Sequence, residues 1–186
     1  MGNLHTPFIN NNTNHITIKN TITNQEIFRS NPIDDEILFH GGVMITETDT
    51  KGIITYANNK FIEMTGFTKE ELIGSPHNIN RHPDMPKGVF RGMWQTISSR
   101  KTWQGYMKNM RKDGRYYWVH VYIQPKIDEN NNLIGYVAGR KIASTVAVKE
   151  IEEEYAKYYG DAHMDNKFFK GGEICLGPHL ATRVLC

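Results

Sequence analysis

The stretch Trp103 to Arg111 holds the residues best suited to gripping a flat ligand. Read as a strand, its alternation puts Trp103, Gly105, Met107 and Asn109 on one face and Gln104, Tyr106, Lys108 and Met110 on the other. The first face combines a large aromatic, a position without a side chain, a soft thioether and a single amide. Gly105 leaves room for a planar group to approach the backbone. Asn109, if buried, needs hydrogen-bond partners. An Asn at a strand end that bonds to local backbone has the same pattern, so both readings stand at this point.

The second candidate is the run His77-Asn78-Ile79-Asn80-Arg81-His82-Pro83-Asp84-Met85-Pro86. It packs two histidines, an arginine and an aspartate into non-helical chain just ahead of a helix start. Free amides at such a start favour anionic groups, and the planar fork of Arg81 suits phosphate. A metal site built on His77, His82 and Asp84 matches no common ligand spacing. The run contains no Ser or Cys to act as a nucleophile. A solvated loop with salt bridges accounts for the same composition. Trp94 lies on an apolar helix stripe and reads first as core, though a core tryptophan can also wall a pocket.

These residues need a frame. Val43 to Thr48 and Gly52 to Ala57 read as two short strands joined by Asp49-Thr50-Lys51. Asn58 to Thr65 reads as a short helix ended by Gly66, and Thr68-Lys69-Glu70-Glu71 has the form of a capping box. Pro76, Pro83 and Pro86 keep Ser75 to Met85 irregular. A helix from Pro86 to about Arg100 follows, with Val89, Met93 and Ile97 on one stripe that Phe90 and Trp94 widen. Trp103 to Arg111 and Arg115 to Ile127 form a hairpin around Lys112-Asp113-Gly114, and Leu133 to Ile142 completes a meander. Both faces of the strand around Trp118 are partly apolar, which predicts helices and ligand on one side and a flanking helix or second subunit on the other. The order predicts an α+β fold, one five-stranded antiparallel sheet with short helices over one face.

Residues 1–31 contain eight Asn and five Thr and read as a flexible leader in which His15 to Ile18 could add a short strand. Asn31-Pro32 with the acidic run Asp34 to Glu36 predicts a short helix, so the ordered domain is placed at 32–145. Val148, Ile151, Tyr155 and Tyr158 then mark a helix over 146–160, too short to stand alone as a coiled coil. Residues 161–186 form a tail of unknown role. With 22 basic and 20 acidic residues the formal net charge is +2, which gives no reason to expect nucleic acid or an anionic membrane as the main partner. Mean hydropathy is −0.54. No run approaches the roughly 20 apolar residues of a membrane span, and the start lacks a secretory pattern. The two cysteines, Cys175 and Cys186, read as spare thiols in a reducing compartment. The expectation is a cytoplasmic protein.

The run Ile54-Thr55-Tyr56-Ala57-Asn58 with Gly66-Phe67-Thr68-Lys69-Glu70-Glu71-Leu72-Ile73-Gly74 resembles the opening of a PAS sensor domain. Pro76-His77-Asn78, Arg81-His82-Pro83-Asp84-Met85-Pro86, Met93-Trp94, Trp103-Gln104-Gly105, Lys108-Asn109 and Tyr117-Trp118-Val119 narrow the likeness. Together they resemble the flavin-binding PAS domain of bacterial aerotaxis receptors, over about residues 40–145. The resemblance implies a non-covalently held FAD and redox sensing without turnover, so not an enzyme. It places Asn58, His77, Arg81, His82, Asp84, Trp94, Trp103 and Asn109 where that family binds or stabilises its flavin. Those receptors also carry a membrane anchor and a methyl-accepting signalling coil, neither of which is recognisable here. The expectation is therefore a freestanding PAS partner for energy taxis. It would signal in trans to a methyl-accepting chemotaxis-type receptor, recruited by it to the inner face of the membrane, and pair as a homodimer or through PAS–PAS contacts. Light sensing through a flavin–cysteinyl adduct is disfavoured, because Ser75 to Met85 contains no thiol. Two alternatives remain at this stage: a cofactor-free PAS docking module, and a haem sensor with His77 or His82 as axial ligand.

Overall fold

The structure, a computed structural model, describes residues 15–38 and 41–156. The expected tail 161–186, the last residues of the expected final helix and the first fourteen residues of the leader lie outside the described residues. Five strands, β3 (Met44–Thr48), β4 (Ile54–Ala57), β5 (Trp103–Met110), β6 (Tyr116–Ile127) and β7 (Leu133–Ile142), make one antiparallel sheet in the order β4-β3-β7-β6-β5. Helices α1 (Asn59–Thr65), α2 (Lys69–Leu72) and α3 (Lys87–Ser98), with a 3₁₀ turn at His77–Asn80, connect β4 to β5. The α+β arrangement read from the sequence is the one observed.

Local chemistry sets the boundaries. Asn58 caps α1 by accepting from the Phe61 amide, and Gly66 closes it at φ +73°, where a side chain would be strained. The Thr68–Glu71 capping box is fully formed. β6 and β7 match the expected strands to within a residue.

Register divides the sheet into two faces. Trp103, Gly105, Met107 and Asn109 pair with Ile123, Val121, Val119 and Tyr117, so these residues share the inner face. The outer face carries Tyr106, Trp118 and His120, and helix α4 (Thr145–Ala156) covers part of it. Val148, Ile151 and Tyr155 are buried there, with the Tyr155 hydroxyl donating to the Tyr106 carbonyl at 3.0 Å. The final helix thus docks on the sheet of its own chain, as the flanking helix that the partly apolar outer face around Trp118 allowed.

Two expectations for the N-terminal region fail. Residues 15–30 are a hairpin, β1 (His15–Lys19) and β2 (Glu26–Ser30), rather than flexible leader, with β1 at the short strand the sequence allowed for His15 to Ile18. Ile16, Ile18 and Ile27 are buried, each worth about 2 kcal/mol on removal from water. The asparagines that suggested disorder supply turn chemistry. Asn20 Oδ1 accepts from the amides of Ile22 and Thr23, its Nδ2 donates to the Ile73 carbonyl, and Asn24 takes a left-handed conformation at φ +59°. The helix expected after Asn31-Pro32 is likewise absent. Instead the Ile33 amide donates to Gly114 O, the Ile37 amide to Tyr116 O, and the Tyr116 amide to Asp35 O. The chain therefore runs parallel to the start of β6, where β7 does not reach, and these distant backbone bonds replace a helical turn.

Candidate functional site

The proline-punctuated stretch crosses the inner face and touches the strands in their spatial order. At the β4 edge, the Gly74 amide donates to Ile54 O at 2.8 Å and the Ile54 amide to Ser75 O at 2.9 Å. Next, His77 Nε2 lies 2.8 Å from Arg140 Nη2 on β7 and 3.1 Å from Thr46 Oγ1 on β3. Asn80 Nδ2 then reaches the Tyr117 hydroxyl on β6 at 3.5 Å, and Arg81 forms a backbone bridge to Asn109 on β5. Proline suits this path because each one removes an amide that helical pairing would require. The hairpin packs on the same stretch, with Thr21 donating to Gly74 O and Arg29 Nη1 to the carbonyls of Ile79 and Arg81.

His77 is neutral. Burial and the Arg140 charge push its pKa down to about 3. Arg140 can only donate, so Nε2 is the acceptor and Nδ1 carries the proton. Arg140 also donates to Thr46 Oγ1 at 2.8 Å, and burial alone lowers its pKa to about 10. His82 is buried too, with Nδ1 accepting from the Asp84 amide at 3.1 Å, and burial lowers it to about 4 against the opposing pull of Asp84. With those nitrogens engaged, neither ring presents that atom to a metal. Among the described residues no three His, Cys, Asp or Glu side chains gather to hold a metal ion.

The β5 side differs. Trp103 Nε1, Asn109 Nδ2 and Arg81 Nε are buried without a hydrogen-bond partner among the described residues, and the Asn109 side chain lies close enough to the Tyr117 hydroxyl to oppose the upward effect of burial on its pKa. All three are donors. Leaving such a group unpaired costs about 1–3 kcal/mol, more for a charged one. Arg81 also stacks its guanidinium 3.8 Å from the Phe90 ring centre. Gly105 plays another part than the sequence suggested. A Cβ there would meet Trp103 Cη2 and Cζ2 at 2.7 Å, so the flat group lying over this glycine is the indole of Trp103 itself.

The remaining expected site residues stand apart from this cluster. Asn58 bonds only to backbone, through Oδ1 to the Ile45 and Phe61 amides and through Nδ2 to Val43 O, as a cap that also ties β3. Asp84 is half exposed and pairs with Lys108 at 3.3 Å. Trp94 packs edge-on to Tyr136 at 5.7 Å and against Gly52, in the turn between β3 and β4. Arg140, Thr46, Asn80 and Tyr117 were not singled out from the sequence. A cation in line with the inward Tyr136 and Ala138 of β7 was the one signal available, at Arg140.

The fold is that of the PAS class: residues 54–138 match the family description "PAS fold". Over 112 residues it is 39% identical to the aerotaxis receptor of Escherichia coli (strain K12), covering 60% of this chain and 22% of the receptor. It is 32% identical to a blue-light photoreceptor of Listeria innocua over 114 residues, 61% of this chain and 45% of that protein. Among solved structures, the PAS domain of a Colwellia psychrerythraea protein superposes with a TM-score of 0.51 at 24% identity, covering 54% of this chain and 86% of that one. The chain spans less than half the length of these two curated relatives. They are sensory proteins by name. Among the described residues no helix is long and apolar enough to cross a membrane.

The residues present fit a flavin. Three buried donors without acceptors, beside aromatic walls, suit a planar ligand edged with carbonyl and imine acceptors.

Proposed function

We propose that this protein is a redox or energy sensor that holds FAD non-covalently between the inner sheet face and the crossing segment. It would relay the redox state to a methyl-accepting chemotaxis-type partner in trans. The observation that carries the reading is the set of unpartnered donors on Trp103, Asn109 and Arg81, which a ring edged with acceptors would satisfy. A bound FAD would supply the electron chemistry. Trp103 and Asn109 would bind the ring edge, and Arg81 an anionic or carbonyl oxygen. His77, His82, Trp94, Asp84 and Asn58 would position the walls. Asn109 can offer its NH2 or, after a flip, its oxygen, so it can answer a change from acceptor to donor at the edge of the ligand.

Strand β5 also gives a route outward. Tyr106, three residues before Asn109, receives the Tyr155 hydroxyl of α4 on the outer face. A shift of β5 of about 1–3 kcal/mol between two arrangements would bias α4 and whatever it meets, whether a partner receptor or a second copy. On this reading the protein acts in the cytoplasm, brought to the membrane by its partner, and performs no turnover. The thiol that a light-driven flavin adduct requires is absent between residues 1 and 174.

The test is an absorbance spectrum of purified protein before and after reduction and after reconstitution with FAD. Flavin bands that bleach on reduction support the proposal. A colourless protein that takes up no FAD overturns it, and a Soret band would replace it with haem. The indole seated over Gly105 favours one other reading, a cofactor-free docking module. That reading expects signalling to tolerate Trp103→Phe and Asn109→Ala.

A further inference from the structure

Arg29 lies on the N-terminal hairpin, outside residues 54–138, and is 1% exposed. Its Nη1 donates to Ile79 O at 2.6 Å and Arg81 O at 3.1 Å. Its Nε and Nη2 are buried and have no partner among the described residues. Those two N–H groups form one edge of the planar guanidinium, the edge that takes two oxygens of an oxyanion side by side. Burial alone acts on its pKa, lowering it to about 10, with no carboxylate offsetting the charge. Arg81 is in the same position, with a bare Nε and only burial acting on it. The nearby carboxylate of Asp84 faces Lys108 and His82 instead.

A fully buried cation whose best recognition edge is bare needs an anion. We propose that the Nε–Nη2 edge of Arg29 is the seat of a phosphate group, the phosphate arm of the flavin nucleotide. This rests on the flavin reading above and assigns the part of the ligand that Trp103 and Asn109 do not recognise. One residue links the two donor sets. Arg81 pairs with Asn109 through its backbone and accepts from Arg29 through its carbonyl. A nucleotide with an acceptor-edged ring at one end and phosphate oxygens at the other matches that pairing. The hairpin then belongs to the binding site as well as to the fold.

The test titrates the full chain, stripped of any flavin, with riboflavin, FMN and FAD, following flavin fluorescence. The unmodified protein, Arg29→Gln and Arg29→Lys are compared, with circular dichroism as the check of folding. We expect FAD or FMN to bind at least tenfold more tightly than riboflavin, and millimolar inorganic pyrophosphate to weaken only the phosphorylated ligands. A preference for FAD over FMN would assign the second phosphate too. Arg29→Gln should abolish the preference with riboflavin affinity within twofold of the original. Arg29→Lys, which keeps the charge without the fork, should restore only part of it. Riboflavin bound as tightly as FAD by the unmodified protein overturns the phosphate seat and leaves the flavin reading standing. Equal loss of all three ligands in a folded Arg29→Gln also overturns it, leaving Arg29 as a tie between hairpin and crossing segment. No binding of any flavin removes the flavin reading and this proposal with it. Should Arg29→Gln fail to fold, the ligand preference of the unmodified protein and the pyrophosphate competition still decide.

Discussion

The two halves of the inner sheet face use the same kinds of residue to different ends. On the β3–β7 side, His77, Thr46 and Arg140 bond to one another, and the Nε of Arg140 is the one polar side-chain atom of this trio left without a partner. On the β5 side, Trp103, Asn109 and Arg81 hold donors with nothing to donate to, and Arg29 adds two more beside them. A closed network fixes the chain that crosses it, because breaking one bond strands a buried partner. On the proposed reading, an open network of donors costs stability until a ligand brings acceptors. The difference distinguishes the clamp from the proposed site.

The largest expected effect breaks the clamp. Arg140→Met leaves Thr46 and His77 without their shared donor, and urea unfolding should show a loss of about 2–4 kcal/mol. A loss below about 0.5 kcal/mol would show that the network holds nothing in place. Acid should act on the clamp through His77 and on the β5 side through His82. Burial holds His77 and His82 at folded pKa values of about 3 and about 4, below the ordinary histidine value of 6.5. The unfolded chain therefore binds more protons below pH 6.5, and stability, complete above that pH, is lost as pH falls toward 4. The slope is up to about 1.4 kcal/mol per pH unit for each histidine. Denaturation midpoints at pH 7.5, 5.5 and 4.5 measure it, and equal midpoints would contradict two buried neutral rings. Asp113, held at about 2 by the hydrogen bonds of Arg115 and Arg111 against the opposing effect of burial, loses its contribution only below the carboxylate range.

The open half predicts the opposite sign. Asn109→Leu removes a stranded donor, so the flavin-free protein should be unchanged or about 1 kcal/mol more stable, while FAD retention falls at least tenfold. A destabilised apoprotein would mean that Asn109 belongs to the clamp. The smallest effect is at Asp84→Asn. Its pair with Lys108 is half exposed, so the change in stability should stay within about 0.5 kcal/mol by the same urea assay.

Much of this arrangement was legible along the chain. The capping box at Thr68, the Asn58 cap, the hairpin around Asp113-Gly114 and the alternation that groups Trp103 with Asn109 are short-range patterns. Each is read within about ten residues, which is the range over which backbone geometry repeats. Gly105 was read as room for a flat ligand, and the sequence did not show that the indole of Trp103 would lie over it. The hairpin was misread because five-residue strands give little alternation to see, and asparagine serves turns as readily as disordered chain.

What the sequence alone determined is the order of the elements, the face on which each strand residue lies and the irregular run between α2 and α3. Periodicity and proline chemistry are local, so one chain suffices to read them. Which donors found partners was decided only in three dimensions. Arg140 meets Thr46 across 94 residues, and Arg29 meets Ile79 across 50. Burial shifts the acidity of His77 and leaves Asn109 bare, and burial depends on every layer that packs around a residue rather than on its neighbours in the chain.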